Sequence, residues 1–120
     1  MPEASHLAAF INDTFRSVWT LELLLFLKDH AATAWQNDSL VTALRASDSV
    51  VSNSVESLLA AGLVLKDKSG AKYAPATQDL VELVEEAQRL YVSKPDAVRR
   101  LIASPPANLA AFSDSFRIKR

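Results

Sequence analysis

Glycine is nearly absent from this chain of 120 residues, and its distribution constrains the fold more than any other feature of the sequence. Only Gly62 and Gly70 occur, both in one short interval, whereas alanine and leucine are the most frequent residues of the chain. Because these residues favour helices and glycine disfavours them, the sequence predicts a mainly helical protein with one local interruption. We expect a chain of this length to form one domain around a single core.

Apolar residues at helical spacing predict two helices in the first quarter of the chain. The first covers residues 5–16. The second runs from about Ser17 to His30 and is apolar nearly all round, as expected of a helix at the centre of a small core. Ser17 and Thr20 are both suitable N-cap residues for the second helix. The sequence leaves open whether a break separates the two helices.

A helix, a tight turn and another helix are predicted next. The polar residues 37–39 supply an N-cap for a short helix that ends near Arg45. After a polar connection, the segment from Asp48 to Ala61 carries its apolar residues on one face, and Gly62 follows where a left-handed residue ends a helix. The apolar residues of that face are Val51, Val55, Leu58 and Leu59.

The hydrophobic period changes after Gly62 and predicts a small two-stranded hairpin. Residues 63–65 and 73–74 are its expected strands, and the charged residues 66–70 suit a reversing loop. The predicted fold class is therefore mainly α with a small β-hairpin.

The last third of the chain is predicted to be helical again. Thr77 is a suitable cap for an amphipathic helix that reaches about Tyr91. Residues 94–96, Lys-Pro-Asp, indicate a stop followed by a new helix start, and the two prolines 105–106 interrupt the chain once more. Residues 107–120 carry apolar residues at helical spacing and a basic end.

Charge and composition exclude several classes of function. The formal net charge is -1, so a nucleic-acid site has to be a local positive patch. The chain has no cysteine, which excludes disulfides, thiolate zinc sites and cysteine nucleophiles and fits a cytoplasmic location. The longest apolar run, Leu23 to Leu27, is far shorter than the about 20 residues of a membrane span. We therefore expect a soluble protein without a membrane partner.

The sequence contains no pattern typical of a catalytic, cofactor or metal site. His6 and His30 are far apart and are expected at the surface. Four acids cluster on the helix that follows the hairpin, and Arg89 follows Glu85 and Glu86 at helical spacing, which indicates a solvated face with ion pairs, not paired catalytic carboxylates. Trp19 and Trp35 are expected in core or interface packing, with a ligand pocket as the alternative. The four acids are Asp79, Glu82, Glu85 and Glu86.

The order of elements from Val18 to Tyr91, with Leu58-Leu59-Ala60-Ala61-Gly62-Leu63-Val64 running into a charged hairpin, resembles the winged helix-turn-helix domain of bacterial transcription regulators, most closely the MarR class. The resemblance covers about residues 17–92 of a single domain, flanked by the helix at 5–16 and by C-terminal helices and a basic tail at 94–120. The ending Phe112-Ser113-Asp114-Ser115-Phe116-Arg117 is similar to that of small alphaproteobacterial regulators of the same type. The resemblance implies a DNA-binding transcriptional regulator that acts as a homodimer without enzymatic activity.

In that family the second helix of the motif lies in the DNA major groove and the hairpin reaches the backbone. The resemblance therefore implies base-edge contacts from the outward polar residues of the helix at 48–61, and phosphate contacts from nearby cations. The base-edge candidates are Ser49, Ser52 and Asn53, and the phosphate candidates are Arg45, Lys66, Lys68 and Lys72. This helix departs from the family because it has no lysine or arginine and carries Asp48 and Glu56.

Surplus apolar helix outside the motif predicts self-association or docking of the tail. The candidate contact residues are Phe10, Phe15, Tyr91, Phe112 and Phe116. An alternative function from another class is a winged-helix module that binds protein and no longer binds DNA, because the acidic Glu56 suits a basic partner better than phosphate. A small-molecule sensor is compatible with either function.

Overall fold

The computed structural model describes residues 4–104, which fold into six helices and one antiparallel hairpin. The elements are α1 (Ala4–Thr14), α2 (Val18–Asp29), α3 (Asn37–Leu44), α4 (Asp48–Ala60), β1 (Val64–Asp67), β2 (Gly70–Tyr73), α5 (Gln78–Ser93) and α6 (Pro95–Ala103). The predicted class, mainly α with a small hairpin, is confirmed. Within the described range, no helix combines the length and the apolar character that crossing a membrane requires.

The helix α2 lies at the centre of the core, as its apolar composition predicts. Leu21, Leu23, Leu24 and Leu27 are all buried, and the helix packs against α4 on one side and β2 on another. Burying such side chains contributes about 1.5–3 kcal/mol each, so α2 anchors the domain. Further buried residues come from every other helix and from the hairpin, among them Ile11, Leu40, Leu58, Leu63, Val84 and Val98.

A break between α1 and α2 resolves the alternatives that the sequence left open. Phe15 is fully buried at this break, and the Ser17 hydroxyl caps α2 by accepting from the Thr20 backbone N–H at 3.4 Å. The prediction of Ser17 as N-cap is confirmed, whereas Thr20 lies inside the helix and is buried. Its hydroxyl is 3.3 Å from that of Ser54 on α4, so the two residues form a polar contact in the centre of the α2–α4 packing.

The start of α3 differs from the prediction. Its N-cap is Gln36, which makes no side-chain capping bond, and the expected cap residues 37–39 already belong to the helix. The Asn37 amide instead donates to the Ser52 hydroxyl of α4 at 3.0 Å and so ties the two helices together. At the other end of α3, Arg45 adopts a left-handed conformation with φ of 56° and ends the helix where the sequence predicts.

The hairpin is shifted along the chain relative to the prediction. The register pairs Val64 with Tyr73 and Asp67 with Gly70, so Lys66 belongs to a strand, and only two residues form the turn. Trp35 bonds to the other edge of β2 through both of its backbone groups, each 2.8 Å from Ala71.

Glycine is favoured at position 62 and required at position 70. Gly62 follows α4 with φ of +76°, which confirms the predicted left-handed helix end. Gly70 has φ of +119°, and a Cβ atom there would lie 2.2 Å from the Trp35 carbonyl oxygen. The close approach of the Trp35 backbone and the positive φ together exclude other residues at position 70.

The helices α5 and α6 complete the core from the C-terminal side. Thr77 caps α5 by accepting from the Leu80 N–H at 3.1 Å, and Pro95 begins α6, both as predicted. The Asn12 side chain of α1 donates to two carbonyl oxygens at the end of α6, those of Leu101 and Ser104, each at 2.8 Å.

Candidate nucleic-acid interface

The helix α4 has an apolar inner face and a polar outer face. Val51, Val55 and Leu58 are buried as predicted, because they lie three or four residues apart and share one side of the helix. On the opposite side Ser49, Asn53 and Glu56 are exposed, and Val50 and Ser52 are half-buried. We call the residues Ser49, Ser52, Asn53 and Glu56 the α4 stripe. The side of α4 that the resemblance assigns to DNA is therefore accessible.

The four members of the α4 stripe are not equally available for contacts. Ser49 and Asn53 are exposed, with the Ser49 hydroxyl 3.4 Å from that of Ser47, but the Ser52 hydroxyl already accepts a hydrogen bond from Asn37. Ser52 can still donate its own proton and has one acceptor lone pair left, so its capacity for a partner is reduced but includes both roles. Asp48 precedes the stripe in the first turn of α4, where a carboxylate favourably faces the helix dipole.

The hairpin presents its lysines in three directions. Lys72 is paired with Leu65 in the register and therefore shares its face of the hairpin. Because successive residues of a strand point to opposite faces, Lys66, the residue after Leu65, lies on the other face. Lys68 is at the turn, and all three side chains are exposed. Lys72 lies opposite Leu65, an apolar side chain that is 67% exposed. The lysines therefore surround the hairpin and do not form one compact patch.

The hairpin turn is held in place by two hydrogen bonds. The Gln36 side chain donates to the Lys68 carbonyl oxygen at 2.7 Å, and the Asp67 carboxylate accepts from the Ser69 N–H at 2.8 Å. The first bond connects the turn to the start of α3, so the hairpin has a fixed position relative to the α3–α4 pair. Sequence patterning gave no signal for this connection, because it joins side chain to backbone across 32 residues.

The charge around this surface is balanced. Four exposed cations, Arg45, Lys66, Lys68 and Lys72, lie in the segment from α3 to β2. The same segment carries four exposed acids, Asp38, Asp48, Glu56 and Asp67. Non-specific affinity for DNA comes mainly from cations that neutralise phosphates, so one domain alone provides a weak electrostatic attraction.

The aromatic residues expected at a dimer or tail contact have different environments. Phe15 is fully buried, and its ring meets that of Phe10 edge to face with centroids 5.7 Å apart, so Phe15 belongs to the core and offers no surface to a second copy. Phe10 is nearly buried and borders a surface cleft. Tyr91 is half-buried on α5. Phe112 and Phe116 lie outside the described residues.

Tyr91 joins α5 to α2 through a polar contact. Its hydroxyl donates a short hydrogen bond to the Glu22 carboxylate, and the Arg99 guanidinium lies 5.9 Å from its ring centroid. Burial, followed by the hydrogen bond to Glu22 and the charge of Glu22, raises the pKa of Tyr91, against an opposing effect of Arg99. A second polar contact also joins α2 to α5: Lys28 of α2 donates to the Gln88 side chain and pairs with Glu85.

Two of the four acids of α5 take part in ion pairs. Glu86 pairs with Arg89 within the helix, as predicted, and Glu85 pairs with Lys28 of α2 at 3.3 Å. Asp79 and Glu82 are exposed. Among residues 4–104 no group of three or more histidines and acids has a geometry suited to a metal ion.

The tryptophans and histidines lie at the surface or partly below it. Trp19 is 42% exposed on α2, and Trp35 is half-buried against the rings of Phe26 and His30. Trp35 also borders an open hollow of about 420 Å³ beside α3. His6 and His30 are exposed, which confirms their predicted surface position.

Comparison with known proteins gives no match. No protein-family model fits the sequence, and neither a curated protein nor a solved structure is significantly similar to it. The resemblance to winged helix-turn-helix regulators therefore stays a prediction from the sequence.

Proposed function

We propose that this protein is a DNA-binding transcriptional regulator that reads DNA sequence with α4 and contacts the DNA backbone with the hairpin, as a winged helix-turn-helix domain does. The observation that carries the proposal is the exposed polar α4 stripe next to a hairpin with three exposed lysines. Hydroxyl and amide groups both donate and accept hydrogen bonds, as the base edges in the major groove require. Asn53 is suited to an adenine edge, and Ser49 to either a base or the backbone.

The balanced charge of the domain favours a homodimer as the binding species. Two copies related by a two-fold axis would place two α4 helices about 34 Å apart, one turn of DNA, and would double the number of cations. Two exposed apolar residues support self-association: Trp19, one turn before Glu22, and Val92, which is 78% exposed next to Tyr91. Both lie within one helical turn, along the chain, of a residue of the Glu22–Tyr91 contact.

The test is binding of labelled genomic DNA fragments, followed by fluorescence anisotropy on the enriched fragments over a range of salt concentrations. Asn53→Ala is expected to reduce discrimination between sequences by about 1–3 kcal/mol at the position it contacts. Lys66→Ala combined with Lys68→Ala is expected to weaken binding to all sequences and to flatten the salt dependence by about two units. Ser93→Ala, at the exposed end of α5, is the control and leaves both quantities unchanged. Absence of binding at low ionic strength would eliminate the proposal.

A protein-binding module is the second candidate, and the exposed Glu56 in the α4 stripe favours it. A carboxylate directed at DNA repels phosphate, whereas the same group attracts a basic protein surface. Glu56→Lys separates the two functions. It is expected to tighten binding to every DNA sequence if the protein is a regulator, and to abolish capture of a basic protein partner if it is an adaptor.

A further inference from the structure

An open cleft lies between the last turns of α1, the C-terminal half of α4 and the first turn of α5. Its volume is about 540 Å³, within the range of about 300–1,000 Å³ that is typical of binding pockets. The floor is apolar and consists of Phe10, Ala60, Ala61 and Leu80. Ala60 is exposed, Ala61 and Leu80 are half-buried, and Phe10 is 9% exposed, so within residues 4–104 part of this apolar floor is accessible to solvent.

The rim of the cleft has a negative balance of charge. Asp13 and Glu56 contribute carboxylates, and Arg16 contributes one cation. Within residues 4–104, neither Asp13 nor Glu56 takes part in an ion pair. The cleft is therefore suited to an occupant that has an apolar side and a positive charge.

The described chain ends beside α1, which forms one wall of this cleft. The Asn12 amide holds the Ser104 carbonyl at 2.8 Å, and Asp13, the next residue of α1, is on the cleft rim. Residue 105 therefore follows beside α1, the helix that forms one wall of the cleft. The 16 residues after Ser104 would extend about 24 Å even as a continuous helix, enough to cross the cleft.

The chemistry of those residues matches the cleft. Phe112 and Phe116 are four residues apart, the spacing that places two side chains on the same side of a helix. Three cations follow the first phenylalanine and one acid, Asp114, opposes them. The cations are Arg117, Lys119 and Arg120.

We propose that residues 105–120 bind in this cleft of the same chain, with Phe112 and Phe116 on its apolar floor and the basic end beside the carboxylates of Asp13 and Glu56. The docked segment neutralises Glu56, the acid that belongs to both the cleft and the α4 stripe, and it brings positive charge to the end of α4. The docking itself occurs without DNA, so its test is independent of the proposed function.

The test uses disulfide trapping in the full chain, which has no cysteine of its own to interfere. Cysteines are introduced as Ala60→Cys, at an exposed position on the cleft floor, and Ser113→Cys, next to Phe112. Under mild oxidation the cross-link within one chain is expected to form at least about tenfold faster with this cleft pair than with the reference pair Ala43→Cys and Ser113→Cys. Docking raises the effective concentration of the two cysteines above that of cysteines joined only by a free chain. Ala43 is exposed on α3, away from the cleft.

Two further variants of the cleft pair identify the contacts. Phe112→Ser with Phe116→Ser is expected to reduce the cross-linking rate to that of the reference pair. Asp13→Asn with Glu56→Gln is expected to reduce it severalfold and to remove its dependence on salt. All of these positions are exposed or lie outside the described core, and circular dichroism checks that each variant keeps its helical content.

A second measurement does not depend on disulfide chemistry. A nitroxide attached at Ser113→Cys is expected to broaden the amide resonances of Ala60, Ala61 and Leu80 in the full chain, and to spare those of α3. Equal cross-linking rates for the cleft pair and the reference pair would overturn the proposal, as would broadening without preference for the cleft. Cross-links that form only between two chains would also overturn it, because the occupant would then be a second copy.

Discussion

Replacement of each tyrosine by phenylalanine removes the same hydroxyl group from two different environments, and we expect opposite effects on stability. The Tyr91 hydroxyl donates to the Glu22 carboxylate, whereas the Tyr73 hydroxyl is buried and has no hydrogen-bond partner within residues 4–104. Both side chains are otherwise partly buried in the same domain. The pair therefore isolates the contribution of one hydrogen bond from that of side-chain packing.

The magnitudes follow from the two environments. A hydrogen bond to a charged group contributes about 1.5–3 kcal/mol, and solvent reaches the Tyr91–Glu22 contact, so Tyr91→Phe is expected to cost about 1 kcal/mol. A buried polar group without a partner carries a desolvation cost of about 1–3 kcal/mol, so Tyr73→Phe is expected to leave the protein equally stable or to stabilise it by about 1 kcal/mol. Glu22→Gln combined with Tyr91→Phe completes a double-mutant cycle for the contact.

The pH dependence gives an independent check of the sign. Burial, followed by the hydrogen bond and charge of Glu22, raises the pKa of Tyr91 above its usual value of 10.0, and burial followed by the charge of Glu85 raises the pKa of Tyr73. A pKa that is higher in the folded state than in the unfolded state means that folding favours the protonated form. The contribution of each group is therefore complete below pH 10 and is lost as the pH rises through the folded-state pKa. Each phenylalanine variant is therefore expected to lose less stability above pH 10 than the parent protein, because it lacks one of the two titrating hydroxyl groups.

The assay is urea unfolding followed by circular dichroism, at pH 7 and at several values above pH 9. At pH 7 the free energies of unfolding of the two variants are expected to differ by at least about 1 kcal/mol, with Tyr73→Phe the more stable. Equal destabilisation by the two substitutions would refute the reasoning, because packing of the ring would then account for both. A coupling energy of zero in the double-mutant cycle would show that the Tyr91–Glu22 contact adds nothing.

Three further predictions concern the backbone, α6 and self-association. Gly70→Ala is expected to prevent folding or to cost several kcal/mol, because its Cβ would overlap the backbone of the neighbouring chain segment. At Gly62 a Cβ would make only ordinary van der Waals contacts, with Ala76 at 3.5 Å and Leu80 at 3.7 Å, so Gly62→Ala is expected to cost about 1 kcal/mol from its positive φ; thermal unfolding measures both. Asn12→Ala removes two bonds to the end of α6 and is expected to cost about 1–2 kcal/mol and to increase amide exchange in α6 more than in α4. Trp19→Ser with Val92→Ser is expected to shift sedimentation at micromolar concentration towards the monomer while thermal stability stays within about 0.5 kcal/mol, and a species unchanged from the parent would contradict the dimer surface.

Local sequence signals predicted the helical part of the fold well. The spacing of Val51, Val55 and Leu58 correctly identified the buried face of α4, and Gly62 its end. Ser17 and Thr77 were identified as caps because a hydroxyl before an apolar helix has a direct physical role there. Each of these features depends on residues within one or two turns of each other.

Contacts between distant parts of the chain had no such signal. Asn37 was predicted as a cap and instead bonds to Ser52, and Ser54 was not predicted to be buried against Thr20. The hairpin strands were misplaced because the charged residues were assigned to the loop, although Lys66 lies within β1. Side chains that bond across elements are chosen by tertiary packing, which a hydrophobic period does not encode.

The balanced charge of the candidate interface allows the number of bound copies to be deduced from salt dependence alone. Each phosphate neutralised on double-stranded DNA contributes about -0.9 to the slope of log affinity against log salt concentration. One domain offers the four cations Arg45, Lys66, Lys68 and Lys72, so a monomer gives a slope no steeper than about -4 and a dimer one of about -7. Docked tails add up to three cations each, which steepens the slope only if residues 117–120 lie next to the DNA. A slope near zero with retained DNA binding would mean that these cations do not contact phosphates.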